Sequence, residues 1–252
     1  MAKAGIDVVN LANNHILDKG SDGLLDTMSH LDDNGIAYIG AGKNKKEAYT
    51  PLYVERKGVK IALLGFSRVL PKMDWAAGRF SSGVAEMYNS KLAIEAVQEA
   101  RKEADLVVVV THWGRERVTK LEDHQTELAR ALVDAGADLV VGSHPHVLQG
   151  IEQYKGKWIA YSLGNFIFTK STTVETWETA MLEVRATKEG DLKLKLIPYA
   201  TQVGQPVPMD EEQARKLYER VGSLSTGVTV SETGVISSIS EAETPSSMDS
   251  TE

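Results

Sequence analysis

Four polar side chains that could bind a metal each follow an apolar run of the sequence. Asn14, His112 and the pair His144 and His146 come within a few residues of the end of a Val- and Leu-rich run that is typical of a buried strand. In an open α/β sheet the loops at the carboxyl ends of parallel strands lie along one edge. These side chains, far apart in the chain, are therefore expected to meet around one centre.

The residue types point to a divalent metal. Imidazole nitrogens with amide or carboxylate oxygens suit Mn, Fe, Zn or Co, and the chain has no cysteine that could supply a thiolate. His144 and His146 are two positions apart, so an extended segment would turn both rings to one face. Pro145 favours an extended conformation, and Gly142 permits a close backbone approach. This His-Pro-His pair is the most informative local signal.

Each segment also has a plainer interpretation. A single histidine after a strand, such as His112, is more often a hydrogen-bonded structural residue, and Asn13-Asn14 alone is typical of a turn. Asp18 and Glu116 each follow a candidate ligand by four positions. They could be outer partners of the imidazoles or simply solvated carboxylates. Taken together at matching strand ends, the segments favour a metal site.

The surrounding pattern predicts an α/β fold. Helical and strand patterns alternate between residues 90 and 141, which indicates a mostly parallel sheet. Later runs joined by short polar turns predict an antiparallel second sheet, at 147–153, 158–163, 177–186 and 192–198. After a predicted helix at 211–221, 14 of the 30 residues at 223–252 are Ser or Thr. We therefore expect one domain over residues 1–222 and a disordered acidic tail over 223–252.

Composition argues against some classes of function. The formal net charge of −7 over 252 residues is unlike that of a non-specific nucleic-acid binder, which usually carries a basic face. We find no apolar run long enough to span a membrane and no signal peptide at Met1. A sugar- or nucleotide-binding α/β protein is a weaker hypothesis, because the sequence has no glycine-rich phosphate loop.

Four segments together resemble the CapA family of poly-γ-glutamate capsule biosynthesis proteins, a branch of the calcineurin-like metallophosphatases. The segments are NLANNHILD at 10–18, HWGRE at 112–116, GSHPHV at 142–147 and SLGNFIF at 162–168. The match runs in order from residue 1 to about residue 200. The resemblance implies a four-layer α/β/β/α sandwich with two central sheets and a dinuclear centre of Mn, Fe or Zn.

By position, the resemblance also implies roles for individual residues. Asn14, His112 and His144 correspond to ligands of one metal, and His146 corresponds to a ligand of the other. His15 resembles the neighbour that protonates the leaving group or steadies the transition state. Further candidates for outer partners or substrate contacts are Asn13, Asp18, Glu116 and Asn165.

The start of the chain departs from the family pattern. Family members begin with a strand carrying a Gly-Asp segment and then an acidic segment, which supply the other ligands of the first metal and the bridging carboxylate. Nothing in residues 1–9 matches either segment. The expectation is therefore a chain that lacks the N-terminal part of the domain.

Two functions follow from the resemblance. The first is a metal-dependent hydrolase of phosphatase type, acting in capsule polymer synthesis at the extracytoplasmic face of the cell membrane. Its substrate would be an anionic polymer or a phosphoryl-type group, and its partners would be membrane capsule synthase subunits. The second is a non-catalytic accessory or polymer-binding subunit of a membrane synthase or export complex, which keeps the fold without the chemistry. The missing first-metal ligands favour the second function for this chain.

Overall fold

The computed structural model describes residues 1–168, 173–202 and 204–239. The helices are α1 (Gly20–Asp33), α2 (Lys45–Tyr49), α3 (Lys91–Glu103), α4 (Asp123–Asp134) and α5 (Glu211–Leu224). The strands of the first half are β1 (Val8–Asn10), β2 (Ala37–Ile39), β3 (Ala41–Gly42), β4 (Leu52–Arg56), β5 (Val59–Ser67), β6 (Gly83–Val84) and β7 (Leu106–His112). Those of the second half are β8 (Leu139–Ser143), β9 (Ile151–Tyr154), β10 (Lys157–Ala160), β11 (Glu178–Ala186), β12 (Leu192–Gln202), β13 (Gln205–Pro208), β14 (Val228–Val230) and β15 (Val235–Ser238).

The main sheet has six strands in the order β4-β5-β7-β8-β10-β9. Its four inner strands are parallel, and the outer strands β4 and β9 pair antiparallel to their neighbours. The β-branched run of β7 lies in the middle, as expected for a strand buried on both faces. The pairing sets His112 beside Ser143 on β8. The carboxyl ends of β7 and β8 therefore deliver their polar residues to the same edge.

Helices α3 and α4 cover one face of this sheet. Val107 and Val109 of β7 are fully buried there, against residues such as Val97 of α3 and Leu132 of α4. The helical spacing of Ala93, Val97 and Ala100 gives α3 the apolar stripe that this contact requires.

The opposite face packs against a second sheet of five strands. Its path is β11-β12-β15-β14, with β13 also paired to β12, and all these pairings are antiparallel. Val108 and Val141 of the main sheet share a core with Leu194 and Leu196 of β12. Helix α5 contributes to the same core. Two sheets packed together with helices confirm the α/β sandwich that the resemblance implies.

The first two strands form a small parallel sheet of their own. β1 pairs with β2, and the loop after β1 packs with α1 in a third apolar cluster that contains Leu11, Leu24 and Met28. This unit carries Asn14 and His15. Its packing fixes the position of their loop beside the main sheet.

The prediction that residues 147–163 belong to the second sheet is wrong. β10 pairs in parallel with β8, so β10 and β9 extend the main sheet instead. A hairpin pattern reveals that β9 and β10 pair with each other, but the choice of sheet depends on a long-range pairing that no local signal contains.

The prediction of a disordered tail from residue 223 is wrong for residues 223–239. Helix α5 runs to Leu224, and β14 and β15 form a hairpin that joins the second sheet. Val228 and Ile236 are only 4% and 5% exposed. The two strands are short, each buries one side chain, and Ser and Thr surround them. Their apolar pattern is therefore too weak to predict strands. Residues 240–252 lie outside the described residues.

Candidate metal centre

The loops after β1, β7 and β8 meet around one cavity of about 420 Å³. Asn14 and His15 come from the first loop, His112 from the end of β7, and His144 and His146 from the loop after β8. All five side chains predicted from the sequence as ligands or catalytic residue line this cavity. Asn13 and Asn165 line it as well.

The hydrogen bonds of His112 define its protonation state. The Ser143 hydroxyl lies 2.9 Å from the Thr111 carbonyl oxygen, which can only accept, so its single proton is donated there. His112 Nδ1, at 3.2 Å from Ser143 Oγ, must then donate to that oxygen. On this assignment His112 Nε2 carries no proton. Its lone pair points to Asn14.

Asn14 presents a second acceptor to that lone pair. Asn14 Oδ1 is 2.8 Å from His112 Nε2, so two acceptor atoms face each other across the cavity. Two ligand atoms about 2.1 Å from one ion and at right angles lie about 3.0 Å apart. The observed separation is close to this value, so the pair fits a shared divalent cation.

His144 lies next to this pair with an unsatisfied nitrogen. Its ring centroid is 4.6 Å from that of His112 and 6.0 Å from that of His146. His144 Nδ1 is buried and has no hydrogen-bond partner within the described part of the chain. A buried polar atom without a partner is costly unless a ligand satisfies it. This orphan atom is a second observation that fits a metal site.

The predicted extended conformation of the His-Pro-His segment is wrong. His144 has φ 95° and His146 has φ 61°, both in the left-handed region that disfavours residues with a Cβ. Both rings still line the cavity, but a strained turn, not the alternation of a strand, aims them there. Such strain persists where the surrounding structure holds it in place, and it is typical of functional sites.

Asn165 fixes the orientation of His146. Its Nδ2 donates to the Thr176 carbonyl oxygen at 3.2 Å, which leaves Oδ1 to accept from His146 Nδ1 at 2.7 Å. The other ring nitrogen of His146 is then free to bind a ligand. An outer acceptor of this kind commonly sets the tautomer of a metal-binding histidine.

Glu116 belongs to the ligand cluster itself. Its carboxylate, His144 and His146 offer ligand atoms that all lie within 4.8 Å of one another. Glu116 is exposed, and its loop is held by a hydrogen bond from the Arg117 amide to the Pro145 carbonyl at 2.7 Å. From the sequence, Glu116 was predicted only as an outer partner or substrate contact. It lies in a loop two residues after Gly114, and the sequence pattern does not reveal where the carboxylate of a loop residue points.

His15 and Asp18 lie at the rim. The Asp18 carboxylate is 3.0 Å from His15 Nδ1, and the two side chains are 54% and 71% exposed respectively. Asn13 supports the turn by accepting the His15 amide hydrogen at 2.8 Å. Asp18 is thus a partner of His15, while Asn13 orders the loop that carries Asn14.

Burial controls the charge of the inner histidines. It lowers the pKa of His112 to about 3, and repulsion from the neighbouring histidines acts in the same direction. Burial also lowers the pKa of His144, partly offset by attraction to Glu116. Both imidazoles are therefore neutral at neutral pH, which is the form that binds metals.

Sequence reasoning missed three residues of the site. Ser143 orders the protons of His112, Arg117 lines an adjoining cavity, and Phe168 packs its ring 4.9 Å from that of His146. Ser143 and Phe168 lie within the segments that carry the family resemblance, so both could have been predicted to lie near the site. Arg117 gives no such signal because nothing in its neighbours marks it.

The fold is of the metallophosphatase type. One solved structure of similar fold is the sulfate thiohydrolase SoxB of Thermus thermophilus in complex with glycerol, at a TM-score of 0.50 and 16% sequence identity. The alignment covers 78% of this chain and 33% of that one.

Sequence comparison identifies the family. The model of the family described as bacterial capsule synthesis protein PGA_cap matches residues 1–170, and the chain belongs to this family. It is 39% identical over 215 residues to the capsule biosynthesis protein CapA of Bacillus anthracis, covering 82% of this chain and 51% of that one. It is 38% identical over 210 residues to the PGA biosynthesis protein CapA of Bacillus subtilis (strain 168), covering 83% of this chain and 54% of that one. The chain thus spans about half the length of these two relatives.

Proposed function

We propose that this chain carries metal-binding residues of a metal-dependent hydrolase of phosphoesterase type that acts in capsule polymer synthesis. The observation that supports it most is the convergence of side-chain nitrogen and oxygen atoms from three separate segments of the chain. His112 Nε2 and Asn14 Oδ1 face each other, His144 Nδ1 is buried without a hydrogen-bond partner among the described residues, and all three residues line one cavity. Membership of the capsule synthesis family supplies the biological context.

The chain's own residues would hold the cation and orient the substrate. Asn14, His112, His144 and His146 are the proposed ligands, with Glu116 at the open side. A divalent Mn, Fe or Zn ion, when bound, supplies a Lewis acid that polarises a phosphoryl-type oxygen and lowers the pKa of water. His112 needs no deprotonation at neutral pH, because burial lowers its pKa to about 3.

His15 is the proposed proton donor to the leaving group. Its Nδ1 is held by the Asp18 carboxylate, which fixes the ring orientation and leaves Nε2 available. A protonated His15 would donate its Nε2 proton as the leaving oxygen departs. Its exposed position at the rim supports this role, since a leaving group must reach solvent.

The proposed substrate class is an anionic polymer of γ-linked glutamate or a phosphoryl-type group on its synthetic route. The names of the relatives, which refer to capsule and PGA biosynthesis, support this proposal. The proposed site of action is the extracytoplasmic face of the membrane, beside capsule synthase subunits. Within the described residues, no helix is long and apolar enough to cross a bilayer.

Activity of the metal-loaded protein tests the proposal. Purified protein with Mn²⁺ or Zn²⁺ should hydrolyse a generic aryl phosphodiester, and His112→Ala or His144→Ala should lower the rate about 100-fold or more, since even outer partners of ligands are worth 10–100-fold. His30→Gln is the matched control, because His30 is exposed on α1 and its ring bonds the Asp26 carbonyl of the same helix. Full activity of both alanine variants would eliminate the hydrolase.

A non-catalytic accessory role is the second candidate. It is favoured by the small number of carboxylates. Among the described residues, the ligand cluster contains one carboxylate, that of Glu116, and this side chain is exposed. An accessory protein should bind poly-γ-glutamate equally well before and after treatment with a chelator. Binding that disappears with the metal would count against it.

A further inference from the structure

A smaller cavity of about 200 Å³ adjoins the metal-ligand cavity. The two share His15, His146 and Asn165 as lining residues. A molecule held at the imidazoles can therefore extend into the smaller cavity without leaving the protein surface. Its other lining residues include Arg117 and Phe168.

The backbone of Arg117 is fixed beside this cavity, while its side chain is exposed. Its φ of 60° is in the left-handed region, and its amide donates to the Pro145 carbonyl at 2.7 Å. Pro145 separates the two histidines of the strained turn. The backbone of Arg117 is thus tied directly to the segment that carries His144 and His146.

The guanidinium of Arg117 has no ion-pair partner within the described part of the chain. The adjacent Glu116 lies with the ligand atoms of His144 and His146. Among the described residues that line the smaller cavity, which include Glu116, Arg117 is the one lysine or arginine, so its guanidinium is the group there that attracts an anion.

We propose that Arg117 binds an anionic group of the substrate, next to the group held at the imidazoles. This anionic group is a free carboxylate of a γ-linked glutamate chain. The inference rests on the proposed function and adds a specificity-determining residue to it. Each residue of such a chain retains one carboxylate, so a second anion is always present near the reacting position. A guanidinium recognises a carboxylate through two parallel hydrogen bonds, which a lysine cannot reproduce.

Phe168 completes the proposed carboxylate subsite in the smaller cavity. Its ring packs against His146 at 4.9 Å between centroids, and it is 41% exposed. An apolar ring and a cation that line the same cavity suit a chain whose carboxylates alternate with methylene groups. The subsite would therefore contact both the charge and the hydrocarbon part of one residue.

Binding of a defined γ-linked glutamate oligomer to the full chain tests the inference. Isothermal titration should show that Arg117→Gln weakens binding about tenfold, the usual effect of losing a charge-assisted hydrogen bond. Arg117→Lys should recover only part of the loss. Arg115→Gln is the matched control: it removes the same charge from the same loop, but Arg115 does not line the cavity, so binding should change less than twofold.

The outcomes separate this inference from the proposed function. Arg117→Gln should bind Zn²⁺ like the unaltered protein, since Arg117 is not a ligand. Equal effects of the Arg117 and Arg115 substitutions, or no binding of the oligomer by the unaltered protein, would overturn the inference even if the metal binds. Failure of the unaltered protein to bind metal would instead refute the hydrolase, while Arg117-dependent oligomer binding would still stand.

Discussion

At the scale of single residues, the site depends on proton positions that neighbouring groups impose. Ser143 forces the Nε2 lone pair of His112 toward Asn14, and Asn165 leaves one nitrogen of His146 free. The ligand types could be predicted from the sequence, because an apolar strand followed by His or Asn is a local pattern. Their tautomers could not, because they depend on contacts between residues such as His112 and Asn14 that are distant in the chain.

Replacing Asn165 with leucine should weaken metal binding without removing a ligand. The substitution leaves His146 Nδ1 without its acceptor, so the ring loses its fixed orientation. Loss of such an outer partner typically lowers metal affinity about 10–100-fold. Zn²⁺ titration monitored by calorimetry would measure the change.

Asn165→Asp provides the contrast, because a carboxylate still accepts from His146. Like the leucine variant it loses the hydrogen bond to the Thr176 carbonyl, so its Zn²⁺ affinity should fall, but by less than that of Asn165→Leu. Asn165→Leu protein that is folded by circular dichroism and binds Zn²⁺ unchanged would show that Asn165 does not orient His146.

At the scale of elements, strand ends position the ligands, and close packing keeps those ends together. Strand β7 was predictable from its unbroken β-branched run, and α3 and α4 from the helical spacing of their apolar residues. The hairpin of β14 and β15 was not, because its strands have only three and four residues and are rich in Ser and Thr. The strained His-Pro-His turn was missed for another reason: its backbone is determined by the packing around it.

Gly142 shows how tightly β8 is packed. A Cβ at this position would lie 2.0 Å from the Tyr161 carbonyl oxygen and 2.3 Å from Trp113 Nε1, two atoms that are hydrogen-bonded to each other. Gly142→Ala should therefore lower the free energy of unfolding by about 1–3 kcal/mol. The displacement should also reduce Zn²⁺ affinity, because His144 follows two residues later.

The matched control for this prediction is Gly222→Ala in α5. A Cβ there meets nothing within 4 Å, so alanine should be neutral or stabilise the protein by up to about 1 kcal/mol. Urea denaturation of both variants would compare them. An unchanged free energy of unfolding for Gly142→Ala would contradict the close packing described.

Ile236 tests whether residues beyond 223 are part of the folded domain. It is 5% exposed and pairs with Leu194 on β12. Ile236→Ala should cost about 2–5 kcal/mol in the free energy of unfolding. Val235→Ala, at a neighbouring position that is 43% exposed, should cost much less. Equal and small losses of stability for the two variants in a thermal or urea melt would instead support a disordered tail from residue 223.

At the scale of the whole molecule, the small β1-β2 unit and the main sheet bring residues almost a hundred positions apart to one cavity. The α/β class and the metallophosphatase-type fold could be predicted from the sequence, since four short segments in order carry the resemblance. The assignment of β9 and β10 to the main sheet could not, because both sheets offer edges to such a hairpin. The central claim is that Asn14, His112 and His144 converge on a single cation.

A crystal of the protein soaked with Zn²⁺, with anomalous diffraction collected at the zinc edge, tests that claim most directly. The expected result is a zinc peak about 2.0–2.2 Å from both His112 Nε2 and Asn14 Oδ1, with His144 completing the contact. His112→Ala crystals under the same soak should lose or greatly weaken the peak. A map of the unaltered protein with no zinc at these atoms, or with zinc only on surface residues such as His30, would contradict the metal centre.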